Sequence, residues 1–419
     1  MIAKLTLPVF ATLGLAGTAY AQTELSLWYH GAGSANAEEA LVNELVEEFN
    51  ASQSDWKVVI ETFPQLAYND AVGAAALAGE LPDILDVDGP VMPNWAWAQY
   101  MQPLGIDEAK LEGYLPGPVG RWNGEVYSVG LWDAAVALTT RRSTLEKYGI
   151  RVPSLDAPWS LDEFNEALAT IAASGDFEYP LDLGMAWKGE WYPYAFSPLL
   201  QSFGGDIVDR DGYQSAEDVL NGDAAIEFGE WWQGLFENGY VPGTSQDAAD
   251  RETGLLDGKY AMSWNGNWAA VPVVEAFGDD ALFLPAPDFG NGSTIGAASW
   301  QFGISATSEH PEGALAFIEF ALQDKWFAAF SDGTGLIPVT ASAAAETENY
   351  APGGPLEVFY DLSKAQALVR PVTPGYIVQA KVFEKALADI ANGADVADTL
   401  DAAVDEINED ISRNSGYGH

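Results

Sequence analysis

Apolar residues alternate between strand-like and helix-like spacing through the first ninety residues. Residues 25–29 form a short apolar strand pattern, and the apolar positions of 41–49 then recur at helical spacing. The alternation continues with a Val- and Ile-rich strand pattern at 56–63, an Ala-rich helical pattern at 68–78 and a strand pattern at 82–87. Strands that alternate with helices predict an α/β fold with a parallel sheet.

Polar residues follow the predicted strands where each strand ends. They are His30 and Gly31, then Gln65, then Asp86 and Asp88. Ligands lie beyond the carboxyl ends of parallel strands, so we expect these residues on one rim of the sheet. Each also has a simpler structural interpretation: His30 fits a strand-end histidine with satisfied hydrogen bonds, and the two aspartates fit turn formation.

The last third of the chain shows two helical apolar stripes, at 382–390 and 400–411, separated by Gly393. We expect the Gly- and Ser-rich segment 412–419 to fray. A chain of 419 residues predicts two or more domains.

The first residues have the pattern of an export signal. Lys4 precedes an apolar run at 5–16, and the small-x-small pattern of Ala19, Tyr20 and Ala21 predicts cleavage after Ala21. We therefore expect a periplasmic protein that starts at Gln22. The sequence has no Cys, so neither a lipid-modified cysteine nor a disulfide is expected, and no later segment approaches the roughly 20 apolar residues of a membrane span.

The charge is strongly acidic, with 62 Asp and Glu against 18 Lys and Arg and a net charge of −44. Such a balance repels nucleic acids and anionic membrane surfaces. The repulsion among the many negative charges is reduced where dissolved salt screens them, so the acidic composition favours a saline habitat.

Aromatic residues are abundant, with 15 Trp, 17 Tyr and 19 Phe, and Trp264 and Trp268 flank an Asn-Gly turn. A pyranose ring has apolar C–H faces and a rim of hydroxyls, so it packs on an aromatic face while polar groups bind its edge. The pattern favours a sugar ligand, although any single Trp also fits an ordinary core position.

No catalytic signature accompanies these features. The three His are not at metal-ligand spacing, and the sequence has no Cys nucleophile, G-x-S-x-G or P-loop. We therefore expect no enzyme activity, no metal and no cofactor. A glycoside hydrolase, which needs two carboxylates facing a sugar, is the alternative enzyme, and an adhesin is a third class.

The order of several segments is characteristic. They are FNAS, LAGELPDILDVDGP, RWNGEVYSVG, PWSLDEF, FGGDIVDRDG, LLDGKYAMSWNGNW, FGISATSEHPEGALAFIEF, GLIP and RPVTPGY. In this order the chain resembles the extracellular solute-binding proteins of family 1, the sugar-binding, maltose-binding-protein-like group that serves ATP-binding-cassette importers.

The resemblance implies a type II periplasmic binding protein fold with two α/β lobes joined by hinge crossings. The N-terminal lobe would comprise 22–132 and 303–348, and the C-terminal lobe 133–302 and 349–419. A sugar would be bound in the cleft, the lobes would close on it, and the closed form of a monomer would engage the membrane permease.

The resemblance also implies ligand contacts from both lobes: His30, Gly31, Gln65, Asp86, Asp88, Trp132 and Asp133 on one wall, and Glu190, Trp191, Tyr192, Trp268, Trp300, Arg370 and Tyr376 on the other. Carboxylates outnumber the one arginine, which favours a neutral, hydroxyl-rich ligand; a non-sugar polyol or osmolyte is the alternative. Ala32-Gly33 stands where maltose-binding relatives have a basic residue, so the resemblance does not imply a maltodextrin specifically.

Overall fold

The structure is a computed structural model that describes residues 22–31, 36–244 and 253–418. The predicted export signal and its cleavage site after Ala21 lie outside the described residues, as do Ala32 and Gly33.

Strands and helices are numbered here in chain order over the described residues. The strands are β1 (Thr23–Gly31), β2 (Trp56–Pro64), β3 (Ile84–Asp88), β4 (Met101–Gln102), β5 (Val119–Trp122), β6 (Glu125–Val129), β7 (Trp132–Arg141), β8 (Tyr179–Asp182), β9 (Tyr260–Gly266), β10 (Ala281–Leu284), β11 (Ile295–Ala298), β12 (Trp300–Ser305), β13 (Ile337–Pro338) and β14 (Ala367–Leu368). The α-helices are α1 (Asn36–Ser52), α2 (Gln65–Ala78), α3 (Met92–Trp97), α4 (Arg142–Tyr148), α5 (Leu161–Ser174), α6 (Trp191–Phe203), α7 (Asp223–Glu237), α8 (Ala270–Phe277), α9 (Pro311–Ala321), α10 (Asp324–Thr334), α11 (Ala341–Glu346), α12 (Glu357–Gln366), α13 (Tyr376–Ala391) and α14 (Val396–Arg413).

The first sheet has the strand order β2-β1-β3-β12-β6-β5, and β4 pairs with β12. β1 is parallel to β2 and β3, as the alternating pattern of strands and helices predicts. β12 returns from much later in the chain and pairs antiparallel with β3 and β6. The carboxyl ends of β1, β2 and β3 therefore share one rim, where the predicted polar residues lie.

The second sheet has the order β14-β11-β7-β9-β8, with β10 and β13 also paired to β7. Helices α6, α7, α13 and α14 pack together beside it. Their shared core contains Trp232, Phe383 and Ile407, none of which is exposed. The two late apolar stripes are thus confirmed as core-facing helices, and the fold is a two-lobe α/β fold of type II.

Several of the described strands lie at the junction of the two lobes. β7 begins with Trp132 and Ala134 in the core of the first lobe and then becomes the central strand of the second sheet. β11 and β12 run almost without interruption from the second sheet into the first. β13 pairs with β7, although the expected boundaries place it in the N-terminal lobe. The crossing strands belong to both lobes, so the exact boundaries stay a prediction.

The expectation that 412–419 frays is wrong for its described part. α14 continues to Arg413, and the side chain of Tyr417 is only 5% exposed. The Tyr417 hydroxyl donates to Asp410 Oδ2 at 2.5 Å, and its ring lies 5.1 Å from that of Trp97 in the first lobe. Burial of one aromatic side chain orders a segment whose composition is typical of a loose terminus.

Candidate functional site

The parallel pairing of β1 and β3 brings His30 next to Asp86. His30 Nδ1 contacts the Asp86 carboxylate, and the backbone N–H of His30 donates to Asp86 Oδ2 at 3.3 Å. His30 Nε2 lies 3.6 Å from Glu38 Oε1, and Glu38 also accepts a hydrogen bond from the hydroxyl of Tyr29. His30, Asp86 and Glu38 are all at most 5% exposed, so they form a buried ionic cluster.

Burial and charge act on this cluster in opposite directions. Burial disfavours the imidazolium, yet the carboxylates of Asp86 and Glu38 outweigh it and raise the pKa of His30 above its ordinary value. Burial also raises the pKa of Asp86 and of Glu38, although the imidazolium opposes this. The edge of the His30 ring is therefore occupied by carboxylates from two sides.

The face of His30 carries a second contact. Its ring stacks on the indole of Trp300, with centroids 3.8 Å apart and planes 10° apart. Trp300 also meets Tyr68 edge to face at 5.8 Å and pairs across the sheet with Asp88. Trp300 remains partly exposed, so the buried ring of His30 supports an aromatic side chain at the rim.

A second polar group lies in the other lobe. One oxygen of Glu190 accepts from both Arg370 Nη1 and the hydroxyl of Tyr376. Arg370 Nη2 donates to the carbonyl of Ala297 at 3.1 Å, and its guanidinium carbon lies 5.0 Å from the ring centroid of Tyr194. These contacts hold a guanidinium of which only 3% is exposed.

Glu190 has a strongly perturbed pKa. Burial raises it to about 7, and the nearby charge of Asp88 contributes, while Arg370 and Tyr376 oppose the shift. A third of the Glu190 side chain stays exposed, and only one of its two oxygens takes part in the bonds to Arg370 and Tyr376. The carboxyl can therefore exchange a proton or accept a hydrogen bond from a ligand.

Asp88 joins this polar group from the first lobe. It is 9% exposed; burial raises its pKa, and the charges of Arg370 and His30 oppose that shift. A direct bond links the lobes nearby, where Asn94 Nδ2 donates to the carbonyl of Pro374 at 2.9 Å. The carboxyl ends of the first sheet thus face the Glu190, Arg370 and Tyr376 group across the lobe boundary.

Two buried polar atoms in this region have no protein partner among the described residues. They are Arg370 Nε and the hydroxyl of Tyr194. A buried donor without an acceptor costs about 1–3 kcal/mol. An oxygen atom supplied by a ligand at this place would satisfy both groups.

Aromatic side chains adjoin the polar group. Trp268 lies 6.1 Å from Tyr194, 6.1 Å from Trp191 and 5.9 Å from Trp187 between ring centroids. Trp268 packs against the cores of both lobes, and Trp187 packs against the core of the second lobe only. Both side chains remain partly exposed. Sequence reasoning did not select Trp187 or Tyr194, although the aromatic density of 187–194 is visible in the sequence.

Several predicted contacts lie elsewhere. Asp133 is fully buried in the crossing, where its carboxylate accepts from Ser363 Oγ at 2.6 Å and from the backbone N–H of Ala134 at 2.9 Å. Tyr192 is a core residue with no exposed surface, and Gln65 is exposed at the start of α2. We therefore leave these three residues out of the proposed site.

The remaining predicted residues have supporting positions. Trp191 is 5% exposed and donates its indole N–H to the carbonyl of Leu183 at 3.1 Å, so it packs behind Trp268. Trp132 is 7% exposed and lines a narrow cavity with Asp86 and Trp300. Gly31 ends β1, where an added Cβ would lie 2.9 Å from the methyl group of Thr62.

The described residues contain no group of three or more His, Asp or Glu side chains placed to bind a metal. Over the same part of the chain, no helix combines the length and apolar character needed to cross a bilayer.

Comparisons with known proteins agree with this architecture. The chain is 25% identical over 319 residues to an uncharacterized lipoprotein of Streptomyces antibioticus, covering 73% of this chain and 68% of the relative. It is 25% identical over 370 residues to the sn-glycerol-3-phosphate-binding periplasmic protein of Rhizobium meliloti, covering 80% and 79%.

A solved structure shows the same fold. The cyclic alpha-maltosyl-1,6-maltose binding protein of Arthrobacter globiformis superposes with a TM-score of 0.77 at 22% identity, covering 94% of this chain and all of that one. The model of the bacterial extracellular solute-binding protein family matches residues 44–353. The chain is therefore a member of the bacterial extracellular solute-binding protein family.

Proposed function

We propose that this protein is the substrate-binding component of an ATP-binding-cassette importer and binds a neutral sugar between its lobes. The observation that carries the proposal is the pair of unsatisfied buried atoms, Arg370 Nε and the Tyr194 hydroxyl, next to the partly exposed indole of Trp268. Sugar hydroxyls supply both donors and acceptors, and the apolar face of the ring matches the indole.

The charges support a neutral ligand over a phosphorylated one. Arg370 is already paired with Glu190, and His30 is paired with Asp86 and Glu38. A phosphate would have to compete with these carboxylates for the cations while approaching Asp88, which faces the same group. Glycerol 3-phosphate, the ligand that the Rhizobium relative's name gives, therefore fits this cleft less well than a sugar.

Delivery to the permease follows from the same proposal. The lobes would close around the sugar, and the closed form of the monomer would engage the membrane subunits. We also propose export to the periplasm with cleavage after Ala21, which mass measurement of the mature protein would check.

The test is calorimetric titration with a panel of mono- and disaccharides, glycerol, other polyols and glycerol 3-phosphate, followed by chromatography of the recovered sugar. We expect at least one sugar to bind, to raise the melting temperature and to be recovered intact. Binding of glycerol 3-phosphate but no sugar would refute the neutral-ligand proposal, and shortened products would identify a hydrolase.

A pair of variants tests the position of the site. Trp268→Ala should weaken sugar binding by about 1–4 kcal/mol if the indole is an energetic centre of the site. The matched control is Trp122→Ala on the edge strand β5, where the indole packs against Tyr127. Equal affinities for both variants and the native protein would exclude stacking on Trp268.

A further inference from the structure

A contact between the two lobes lies beside the candidate site. Asn94 Nδ2 on α3 donates to the carbonyl of Pro374, just before Tyr376. One turn further along the same helix, the ring of Trp97 meets the ring of Tyr417 edge to face, with centroids 5.1 Å apart. None of these residues belongs to β7, β11 or β12, the strands at the junction of the lobes. Opening of the lobes about those strands therefore separates this contact.

The second lobe fixes the position of Tyr417. Its hydroxyl donates to Asp410 Oδ2 at 2.5 Å and accepts from Asn414 Nδ2 at 2.9 Å. The carbonyl of Gly416 accepts from Gln214 Nε2 at 3.1 Å, which ties the same segment to the loop before α7. Because all of these partners belong to the second lobe, the ring of Tyr417 is positioned before the first lobe closes on it.

The backbone at Tyr417 is strained. Ser415, Gly416 and Tyr417 all have positive φ, at 53°, 68° and 57°. A serine or a tyrosine rarely adopts this left-handed region, and such a conformation persists only where the surrounding contacts hold it. The chain therefore adopts an unfavourable turn at the point where it presents an aromatic ring to the other lobe.

The first lobe contributes a surface residue to this contact. Trp97 is 39% exposed, whereas Tyr417 is only 5% exposed. Ile377, at the start of α13 in the second lobe, packs against the first-lobe cluster that contains Met92 and Trp95. Apolar burial and the ring contact both stabilise the arrangement in which the lobes are together.

We propose that Trp97 and Tyr417 form a latch that favours the closed arrangement of the lobes before any ligand is bound. The latch is distinct from the polar group of Glu190 and Arg370, so it acts on closure whatever the chemistry of the ligand is. A bound ligand leaves when the lobes open, and a contact that stabilises the closed form therefore slows its release. This inference does not depend on the proposed sugar-binding function.

The experiment measures the distance between the lobes in protein without ligand. The sequence has no Cys, so Leu66→Cys in the first lobe and Ser412→Cys in the second give two specific positions for spin labels, and both residues are exposed. Leu66 follows the end of β2 at the rim, and Ser412 lies near the latch, so opening the cleft lengthens the distance between the labels. The labelled protein is dialysed from denaturant to remove any bound ligand, and the distances are measured by double electron–electron resonance.

The variants compared in the labelled protein are Trp97→Ala, Tyr417→Ala, Trp97→Phe and the double variant that combines the two alanine substitutions. Trp122→Ala is the matched control, because Trp122 forms an edge-to-face pair with Tyr127 inside the first lobe, with centroids 6.1 Å apart. Circular dichroism and melting temperature confirm that each variant is folded.

For the native protein we expect a resolved population at the short distance. Each alanine substitution in the latch should lower the ratio of closed to open molecules by about two- to tenfold, whereas Trp97→Phe and Trp122→Ala should stay near the native ratio. The double variant should open no further than either single variant, since each removes the same contact.

Three results would overturn the latch: unchanged distances in both alanine variants, additive opening in the double variant, or equal opening in Trp122→Ala. All of these distances are measured without sugar. A failure of every sugar to bind would therefore refute the proposed function and leave the latch standing.

Discussion

Removal of His30 tests the buried ionic cluster of the first lobe. The His30→Asn substitution leaves Asp86 and Glu38 in place, at 1% and 5% exposure, without the imidazole that lies between them. Loss of one partner from a buried pair typically costs about 3–5 kcal/mol, because the other charge stays buried. An exposed pair offers the matched control: Lys147 and Asp176 are 59% and 46% exposed, so solvent screens their attraction and Lys147→Met should change stability far less than His30→Asn.

The loss of stability caused by His30→Asn should depend on pH. The folded-state pKa values of His30, Asp86 and Glu38 are all raised. The folded state therefore holds more protons than the unfolded state, and stability present at low pH is lost as pH rises through the folded values. In the variant, burial still raises the pKa of both carboxyls and so favours their neutral forms in acid. The stability deficit of the variant should therefore be smaller when it is measured at about pH 4 than at about pH 7.

The assay is urea unfolding followed by circular dichroism for native protein, His30→Asn and Lys147→Met at both pH values. The expected result is a large deficit for His30→Asn at neutral pH that shrinks in acid, and a small deficit for the control. If His30→Asn and Lys147→Met lose the same small amount at neutral pH, the reasoning from a buried charged cluster is refuted.

Three further predictions concern the cleft and the lobe contact. Burial raises the pKa of Glu190 to about 7, and the ionised carboxylate accepts a hydrogen bond from a hydroxyl group better than the neutral acid does. Sugar affinity measured by titration calorimetry should therefore rise from about pH 6 to about pH 8. Glu190→Gln should remove this dependence on pH. Gly266→Ala would place a Cβ 2.1 Å from the Trp268 ring, so it should displace the indole and weaken sugar binding; unchanged affinity would contradict that geometry. The edge-to-face pair of Trp97 and Tyr417 should give about 0.5–1.5 kcal/mol of coupling in a double-mutant cycle measured by urea unfolding, and zero coupling would show that the contact is energetically neutral.

Local pattern was sufficient for much of the fold. The spacing of apolar residues predicts β1, α1 and β2, and also α2, which ends at Gly79 in a left-handed conformation that suits glycine. These elements depend on short-range preferences and on one buried face, both of which are readable in a single sequence.

The residues of the candidate site could be predicted only in part from the sequence, and the reason is physical. His30 and Asp86 are 56 residues apart and meet because β1 and β3 are neighbours, which the rule for strand ends anticipates. Asp133 and Tyr192 are predicted contacts, but the structure buries both side chains completely. Side-chain direction at a crossing or a helix start depends on the surrounding core, and no local pattern records it.

The sequence by itself therefore determined the fold class, the family and the kind of side chains available for a ligand, because periodicity and motif order are properties of the chain. Only the tertiary structure decided which of these charged and aromatic side chains already have partners within the protein. It pairs Arg370 with Glu190 across 180 residues, and it places Trp187 parallel to Trp268. Those relationships arise when distant segments pack together, since burial and the partners that satisfy a charge exist only in the folded state.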